Sequence, residues 1–274
     1  MSCGNRNVEP AEQTPMVARS KIVFTAIGDV PYTSEQRNDL VEMVAKHNAQ
    51  NTSEFIIHVG DITPGGTPCD TSIYKDVSAI LSDFSAPTFV VLGDNEYNDC
   101  IDPITGLENW NRYFLPFNTK PNFLHKISYQ TERLENFSWI QDNVLFIAIN
   151  LVGGRIHDAE EWQKRLTDDA NWVTQLLTDY KDEAIATVLF AHANIVNFEP
   201  EKYNTFTTQF RKSAKMYDKP ILFLNGDGHF WINDTPYEEK NIHRVQIIGG
   251  SRAVQVTVDP SLENPFLFDT NFLE

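Results

Sequence analysis

Five apolar runs in this chain end in the same way. "IVFTAIGDVPY" stops at Asp29, "FIIHVGDITPGG" at Asp61 and "TFVVLGDNEYND" at Asp94. "ATVLFAHAN" stops at His192, and "PILFLNGDGHFW" at Asp227 and His229. Short apolar runs rich in β-branched and aromatic residues, closed by Gly, Asn or Asp, read as buried strands. A core strand that hands over to a carboxylate or imidazole holds that side chain on a rigid backbone. In layered sheets, ligand sites lie beyond the carboxyl ends of strands. Repeated five times, the pattern constrains the chain to an α/β layered fold with one polar crevice shared by several strand ends.

The segments between these runs fit that frame. Strands are expected over 21–28, 54–60, 88–92, 185–190 and 220–224, and helices over 34–48, 72–84, 107–114, 159–180 and near 200–216. In the first helix Leu40, Val41, Val44 and Ala45 form the expected apolar stripe, and in the fourth Trp162, Leu166, Trp172, Leu176 and Leu177 do so. Residues 125–150 carry short β-rich runs broken by polar turns, which suggests antiparallel strands. "HRVQIIGG" (243–250) and "AVQVTVDP" (253–260) read as closing strands joined by a Gly-Gly turn. Mixed strands with helices between them imply sheets covered by helices. Residues 1–20 read as a polar, disordered leader and 21–274 as a single domain without repeats or linkers.

Composition narrows the partners. The apolar fraction of 41% and charged fraction of 22% are those of an ordinary globular chain. The formal net charge of −16 repels phosphate backbones, so no nucleic-acid polymer is expected. A small phosphate ester held by bound cations is compatible, because metal ions invert the local field. No apolar run reaches the roughly 18–20 residues of a spanning helix. Ser2-Cys3-Gly4-Asn5 resembles the start of a mature bacterial lipoprotein, with Cys3 as the acylated residue. The other reading of this segment is a leader with an incidental thiol. Cys69 and Cys100 each follow an Asp-bearing turn by a few residues, and a disulfide between them would clamp two loops in an oxidising compartment. The alternative is two unrelated buried thiols. An extracytoplasmic, cell-surface or periplasmic setting is expected from the first readings together. The sequence sets no oligomeric state.

Each Gly-Asp alone is an ordinary turn, with Gly supplying the positive φ and Asp capping the next helix. Together, Asp29, Asp61, Asp94, His192, Asp227 and His229 form an ordered carboxylate and imidazole set. Asp29 to Asp61 is 32 residues and Asp61 to Asp94 is 33, each about one strand–helix unit. Such a set suits two divalent cations, which roughly 3.5–4 Å apart hold a phosphoryl group, acidify a water and stabilise the leaving oxygen.

The order and spacing resemble the calcineurin-like metallophosphoesterase superfamily, over residues 22 to about 250. Its pattern is D-x-H, then G-D, then G-N-H-[DE], then a lone His, then G-H-x-H. The resemblance implies a four-layer αββα sandwich, two mixed β-sheets flanked by helices. It also implies hydrolysis of a phosphoric mono- or diester by a metal-bound hydroxide. The chain departs from the pattern at several places. Pro31 stands where the family has its first His, and a proline side chain offers no ligand atom. "Gly93-Asp94-Asn95-Glu96" puts Asp94 at the metal-binding Asn and Asn95 at the His that often serves as general acid. A register one residue later, with Asn95 reaching the metal, stays open at this level. Asp227 replaces the first His of the last motif and His229 keeps the second.

The resemblance therefore implies a first site of Asp29, Asp61 and His229, one ligand short, and a second of Asp61, Asp94, His192 and Asp227. Carboxylate-rich sets favour Mn²⁺, Mg²⁺ or Ca²⁺ over Zn²⁺, with iron compatible. Asn95 has no titratable proton, which leaves His157, in a Gly-rich loop, or His58, inside an apolar run, as stand-in acids. Arg155 and Arg252 are candidate phosphate clamps, since guanidinium forks match phosphate geometry. Asn150, just past "VLFIAIN", is a further candidate for the crevice, and Tyr32, Tyr97, Trp110, Phe230 and Trp231 are aromatics for stacking or for the core. Three functional readings follow. The first is a divalent-metal phosphoesterase acting on a small phosphate ester. The second is a metal- or phosphate-ligand-binding protein on the same scaffold. The third is an α/β protein whose Asp residues are caps and turns.

Overall fold

A computed structural model of the protein describes residues 20–119 and 123–274. Cys3 lies outside the described residues, as does nearly all of the expected leader. Five strands make the first sheet: β1 (Ile22–Ile27), β2 (Phe55–His58), β3 (Thr88–Val90), β11 (Val254–Val258) and β12 (Phe266–Asp269), in the order β12-β11-β1-β2-β3. Seven make the second: β4 (Ser128–Tyr129), β5 (Phe137–Gln141), β6 (Val144–Ala148), β7 (Ala186–Phe190), β8 (Ile221–Asn225), β9 (Ile232–Asp234) and β10 (Ile242–Gln246), in the order β4-β5-β6-β7-β8-β10-β9. Strands β1, β2 and β3 pair in parallel, as do β6, β7, β8 and β10, so their carboxyl ends share one edge.

The sheets face each other across an aromatic core. Phe24 of β1 stacks on Phe55 of β2 at 4.9 Å between ring centroids, and Trp139 of β5 stacks on Phe146 of β6 at 4.7 Å. Phe55 meets Trp139 edge-on at 5.1 Å, which joins the layers. Such pairs add about 0.5–1.5 kcal/mol each beyond their burial. Helices cover the outer faces: α1 (Ser34–Gln50), α2 (Thr71–Ser82) and α3 (Pro103–Tyr113), with the short α4 (Leu115–Asn118), on the first sheet, and α5 (Ala159–Asp179) and α6 (Asn204–Tyr217) on the second. The result is the expected four-layer αββα sandwich.

Local chemistry sets the helix ends. The Thr33 hydroxyl accepts from the Gln36 amide at the start of α1, and Asn51 closes that helix in the left-handed region at φ 47°. Asp158 accepts from the Glu160 and Glu161 amides at the start of α5. Asp102 caps α3, with Pro103 in its first turn, so this helix begins four residues before the expected 107. The buried stripe of α1 is Leu40, Met43, Val44 and His47, while Val41 and Ala45 face solvent. His47 belongs inside because its ring meets the Thr25 hydroxyl at 3.1 Å. The expected helix near 200 is a 3-10 turn (Pro200–Tyr203) followed by α6.

One expectation is corrected. Strands β10 and β11 are not a hairpin, because β10 pairs with β8 and β9 whereas β11 pairs with β1 and β12. The Gly249-Gly250 turn crosses from one sheet to the other instead. Both glycines have positive φ, and the Gly250 amide donates to the Gly28 and Asp29 carbonyls at 3.1 and 3.2 Å. That crossover holds the carboxyl end of β1 against the second sheet. Among the described residues, no helix is long and apolar enough to cross a membrane.

Candidate metal centre

The first turn past β1 carries Asp29, the turn past β2 carries Asp61, and the turn past β8 carries Asp227 and His229. All four side chains leave the backbone from the left-handed region, at φ 54°, 63°, 70° and 57°. Residues other than Gly are held there at a cost of order 1–3 kcal/mol, and such strain gathers at functional sites. The turns interlock through their amides: Asp29 donates to the Gly60 carbonyl at 2.9 Å, and Asp227 donates to the Asp29 carboxylate at 3.0 Å. The approach is close enough to require glycine. A Cβ at Gly226 would lie 2.6 Å from Asp29 Oδ2, and one at Gly93 would lie 2.1 Å from the Asp61 amide nitrogen.

The six residues expected from the sequence converge. Ligand atoms of Asp29, Asp61 and His192 lie within 4.8 Å of one another, and so do those of Asp94, His192 and Asp227. Asp29, Asp61, Asp94 and His192 are buried. His229, at the outer end of the cluster, has a side chain 51% exposed and its Nε2 3.3 Å from Asp29 Oδ1. His192 stands at the meeting of the two groups, where the family resemblance implied it for the second alone.

His192 fixes the character of the cluster. Its Nδ1 lies 2.7 Å from the Val59 carbonyl oxygen, which only accepts, so Nδ1 carries the proton. Its Nε2 then points at Asp94 Oδ1 at 2.8 Å and Asp61 Oδ1 at 3.3 Å without a hydrogen bond of proper geometry. A bare lone pair facing two carboxylates is repulsive unless a proton or a cation stands between them. Burial lowers the His192 pKa, but Asp61 and Asp94 outweigh it and hold the group well above the usual imidazole range. Asp29 Oδ2, Asp94 Oδ1 and His192 Nε2 are all buried without a hydrogen-bond partner. Buried polar atoms are rarely left so. Carboxylate oxygens and an imidazole lone pair are the donor set a divalent cation takes.

Around Asp61 the structure separates two neighbours that the sequence left ambiguous. Asn95 does not join the cluster of converging oxygens. Its amide nitrogen donates to Asp61 Oδ2 at 2.6 Å and to the Tyr32 hydroxyl at 3.1 Å, and its backbone amide donates to Asp61 Oδ1 at 3.0 Å. Asp94 supplies the oxygen beside His192. Tyr32 was legible only as an aromatic near a loop, yet its hydroxyl donates to Asp61 Oδ2 at 2.6 Å and lies 3.3 Å from His229 Nε2. Burial and the Asp61 and Asp29 carboxylates keep that phenol firmly protonated. Glu96 is a second residue whose role the sequence concealed. Its buried carboxylate accepts from the Gly93, Asp61 and Ile62 amides at 2.6, 3.3 and 3.3 Å, tying the Asp61 and Asp94 turns together. Only the acidic residue ending "GDNE" signals it. Burial and Asp61 push Glu96 up to about 8, against the pull of its amide donors. Burial likewise raises Asp227 to about 6, with His192 opposing and Asp94 adding.

Several expected contributors stand elsewhere. The Arg155 guanidinium does not face the cluster as a clamp, since its Nε and Nη2 are spent on the Asn98 and Cys100 carbonyls, both at 2.5 Å. Arg252 lies 3.8 Å from Glu274, both exposed. His157 is held by Asn98 Oδ1 at 3.1 Å and packs edge-on to Tyr97, and burial lowers its pKa. His58 is a core histidine, accepting from the Gly60 amide and donating to the Val30 carbonyl. Asn150 is buried behind the site, bonded to Asn136, Glu135 and Arg165 rather than facing the crevice. Cys69 and Cys100 form a disulfide with Cα atoms 5.7 Å apart, linking the loops that follow the Asp61 and Asp94 turns.

Fold and cluster together define a metallophosphoesterase-type protein. The chain belongs to the calcineurin-like phosphoesterase family, whose model matches residues 22–229. Among solved structures it is similar to a dimetal phosphatase from Danio rerio, with 11% identity, a TM-score of 0.58, and 91% of this chain and 98% of that one covered. A purple acid phosphatase from yellow lupin seeds aligns at 9% identity with a TM-score of 0.59, over 92% of this chain and 52% of that one. The GAP50 anchor of the Plasmodium inner membrane complex aligns at 12% identity with a TM-score of 0.54, over 91% and 88%. At these identities the likeness is one of fold. No curated protein matches the chain.

Proposed function

We propose that the protein is a divalent-cation-dependent phosphoesterase that hydrolyses a phosphoric mono- or diester. The observation that carries this reading is the convergence of three buried, unpartnered ligand-type atoms, Asp29 Oδ2, Asp94 Oδ1 and His192 Nε2, from turns on both sheets. One imidazole lone pair serves one ion. His192 would therefore serve with its nearer neighbour Asp94 and with Asp227, and Asp29, Asp61 and His229 would serve a second ion. Four carboxylates make Mn²⁺, Mg²⁺ or Ca²⁺ the fitting ions, ahead of Zn²⁺, with iron compatible. When bound, such ions neutralise phosphoryl oxygens and make a water acidic enough to attack at neutral pH.

The chain's own residues do the rest. Val59 fixes the His192 tautomer, and Glu96 sets the distance between the Asp61 and Asp94 turns. Tyr32 and Asn95 hold Asp61 Oδ2 from one side. They are also the uncharged donors nearest to an incoming phosphoryl oxygen. Neither hands a proton to a departing alkoxide at neutral pH, so esters of acidic alcohols are the substrates this site serves best.

A second reading rests on the same departures. Pro31 and Asn95 remove two side chains that the family uses for metal and acid, and a Plasmodium protein of this fold is described as an anchor. On that reading the protein binds a metal or phosphate ligand without turnover. The two are told apart by elemental analysis of wild type and Asp61→Ala after loading with Mn²⁺, followed by assay on 4-nitrophenyl esters. About two ions per chain, reduced in the variant, with hydrolysis in the wild type, support the phosphoesterase. One ion or none without hydrolysis supports the binder. We further propose an extracytoplasmic setting, supported by the Cys69–Cys100 disulfide, with Cys3 as the point of any lipid anchor.

A further inference from the structure

The charge around the cluster is one-sided. Four carboxylates, Asp29, Asp61, Asp94 and Asp227, offset in full the four positive charges that two divalent ions would bring. Two more carboxylates lie directly behind them. Glu96 accepts from the Asp61 amide at 3.3 Å, and the Asp99 amide donates to the Asp94 carbonyl at 2.8 Å. The cation beside Asp99 is Arg155, whose backbone amide donates to the Asp99 carboxylate at 2.7 Å. Two cations on the flanking loops are committed elsewhere, Arg155 to the Asn98 and Cys100 carbonyls and Lys202 to Glu199 and the Gly154 carbonyl, while Arg252 is exposed and 3.8 Å from Glu274.

The same loops expose apolar surface. Phe230 follows His229 directly and is 48% exposed. Ile156 and Phe198 are 41% exposed, on the loops whose Gly153 and Asn194 border Asp227.

We infer that this site selects by charge and takes singly charged phosphodiesters in preference to doubly charged phosphomonoesters. The inference rests on the phosphoesterase reading above and narrows its substrate. A dianion meets a loaded centre of about zero net charge with the Asp99 carboxylate near it, and no guanidinium or ammonium group bonded to the cluster to receive its second charge. A diester carries one charge fewer and a second organic substituent, and the loops bordering the site offer exposed apolar side chains at Phe230, Ile156 and Phe198 for it. In the reaction, the oxygen of water forms a new bond to phosphorus while the bond to one ester oxygen breaks. That oxygen leaves with the electron pair and takes up a proton as the alcohol, and the second proton of the water goes to solvent. The product is a monoester that becomes a dianion, so the same field that disfavours it as substrate drives its release.

The test compares probes that share a leaving group. In the Mn²⁺-loaded full chain at pH 8, kcat/KM is measured for bis(4-nitrophenyl) phosphate and for 4-nitrophenyl phosphate. Binding of inorganic phosphate and of dimethyl phosphate is measured by calorimetry on the same preparation. The diester is expected to be preferred at least about tenfold. In Asp99→Asn, which removes one charge near the centre and keeps an acceptor for the Arg155 amide, the doubly charged probe gains twice the electrostatic benefit of the singly charged one. At an effective dielectric of roughly 40 and about 8 Å, that is about sixfold more gain in affinity for inorganic phosphate than for dimethyl phosphate. A wild type that prefers the monoester overturns the inference, as does an Asp99→Asn that affects both anions equally. If neither ester is hydrolysed, the phosphoesterase reading fails on its own. The anion-binding comparison with Asp99→Asn then still decides the charge preference.

Discussion

Replacing both cysteines of the Cys69–Cys100 bridge by alanine tests how the site loops are held. The bridge closes a loop of 31 residues in the unfolded chain. The chain-entropy relation gives about 12 cal/mol/K for a loop of that length, or about 3.7 kcal/mol at 25 °C. Cys100 is fully buried and Cys69 is 8% exposed, so the lost sulfurs add a small packing term and move the total toward about 4 kcal/mol. With a urea m-value of about 3 kcal/mol/M for a chain of this size, the denaturation midpoint falls by a little over 1 M. Urea titrations of wild type and double variant, followed by tryptophan fluorescence and far-UV circular dichroism, measure this. The two loops are also tied by the Gly66 amide to the Asp99 carbonyl at 3.0 Å and the Ile101 amide to the Thr67 carbonyl at 3.2 Å. A loss below about 1 kcal/mol would mean that these contacts already organise the unfolded or folded loops, and the entropy argument would be wrong here.

The other predictions follow from single contacts. Gly226→Ala puts a Cβ 2.6 Å from Asp29 Oδ2, so it is expected to cut Mn²⁺ content sharply, by elemental analysis, while costing only about 1–3 kcal/mol of stability. Asp169, buried behind the site, is raised to about 8 chiefly by burial, although Asn136 and two arginines pull it down. Its folded state therefore keeps a proton that the unfolded state releases above about pH 4, so stability falls as pH rises from about 4 to 8. The full shift of about 4 units corresponds to about 5 kcal/mol. Asp169→Asn is expected to flatten that slope in urea titrations at pH 5 and 8, and an unchanged slope would assign it to other groups.

What the sequence disclosed was the part written in local pattern. Each of the five apolar runs ended at a turn that the fold brings to one edge; strands alternating with helices implied a layered α/β domain, and the four-layer form came from the family resemblance. The pairing of β10 and β11 was not legible, because two strands flanking a Gly-Gly pair look alike whether they form a hairpin or cross between sheets. Asn95 and Asp94 differ by one position, and only the side-chain directions at the turn separate the residue holding Asp61 from the one beside His192. Arg155 looked free for phosphate because its acceptors, two backbone carbonyls, leave no trace in residue type. Tyr32 and Glu96 were hidden for the opposite reason. Their partners are Asp61 and the amides of a turn about 30 residues away, a contact that no periodicity encodes.

The physical logic of the centre joins these cases. A turn bearing Asp in the left-handed region is tolerable once in a protein, since Asp bonds locally there better than most residues. Here Asp29, Asp61 and Asp227 all adopt it, and their carboxylates are aimed at one another in a buried space. Caps and turns alone would let each carboxylate face water or the amides of its own helix. The chain instead spends Gly60, Gly93, Gly226 and Gly249 on bringing the turns into contact, and Glu96 on holding two of them together. That arrangement opposes like charges and is unfavourable without a positive partner. A reading of these residues as ordinary turns has no counter-charge to offer apart from a proton on His192. A divalent-cation centre accounts for the strain, the glycines and the unpartnered oxygens with one cause.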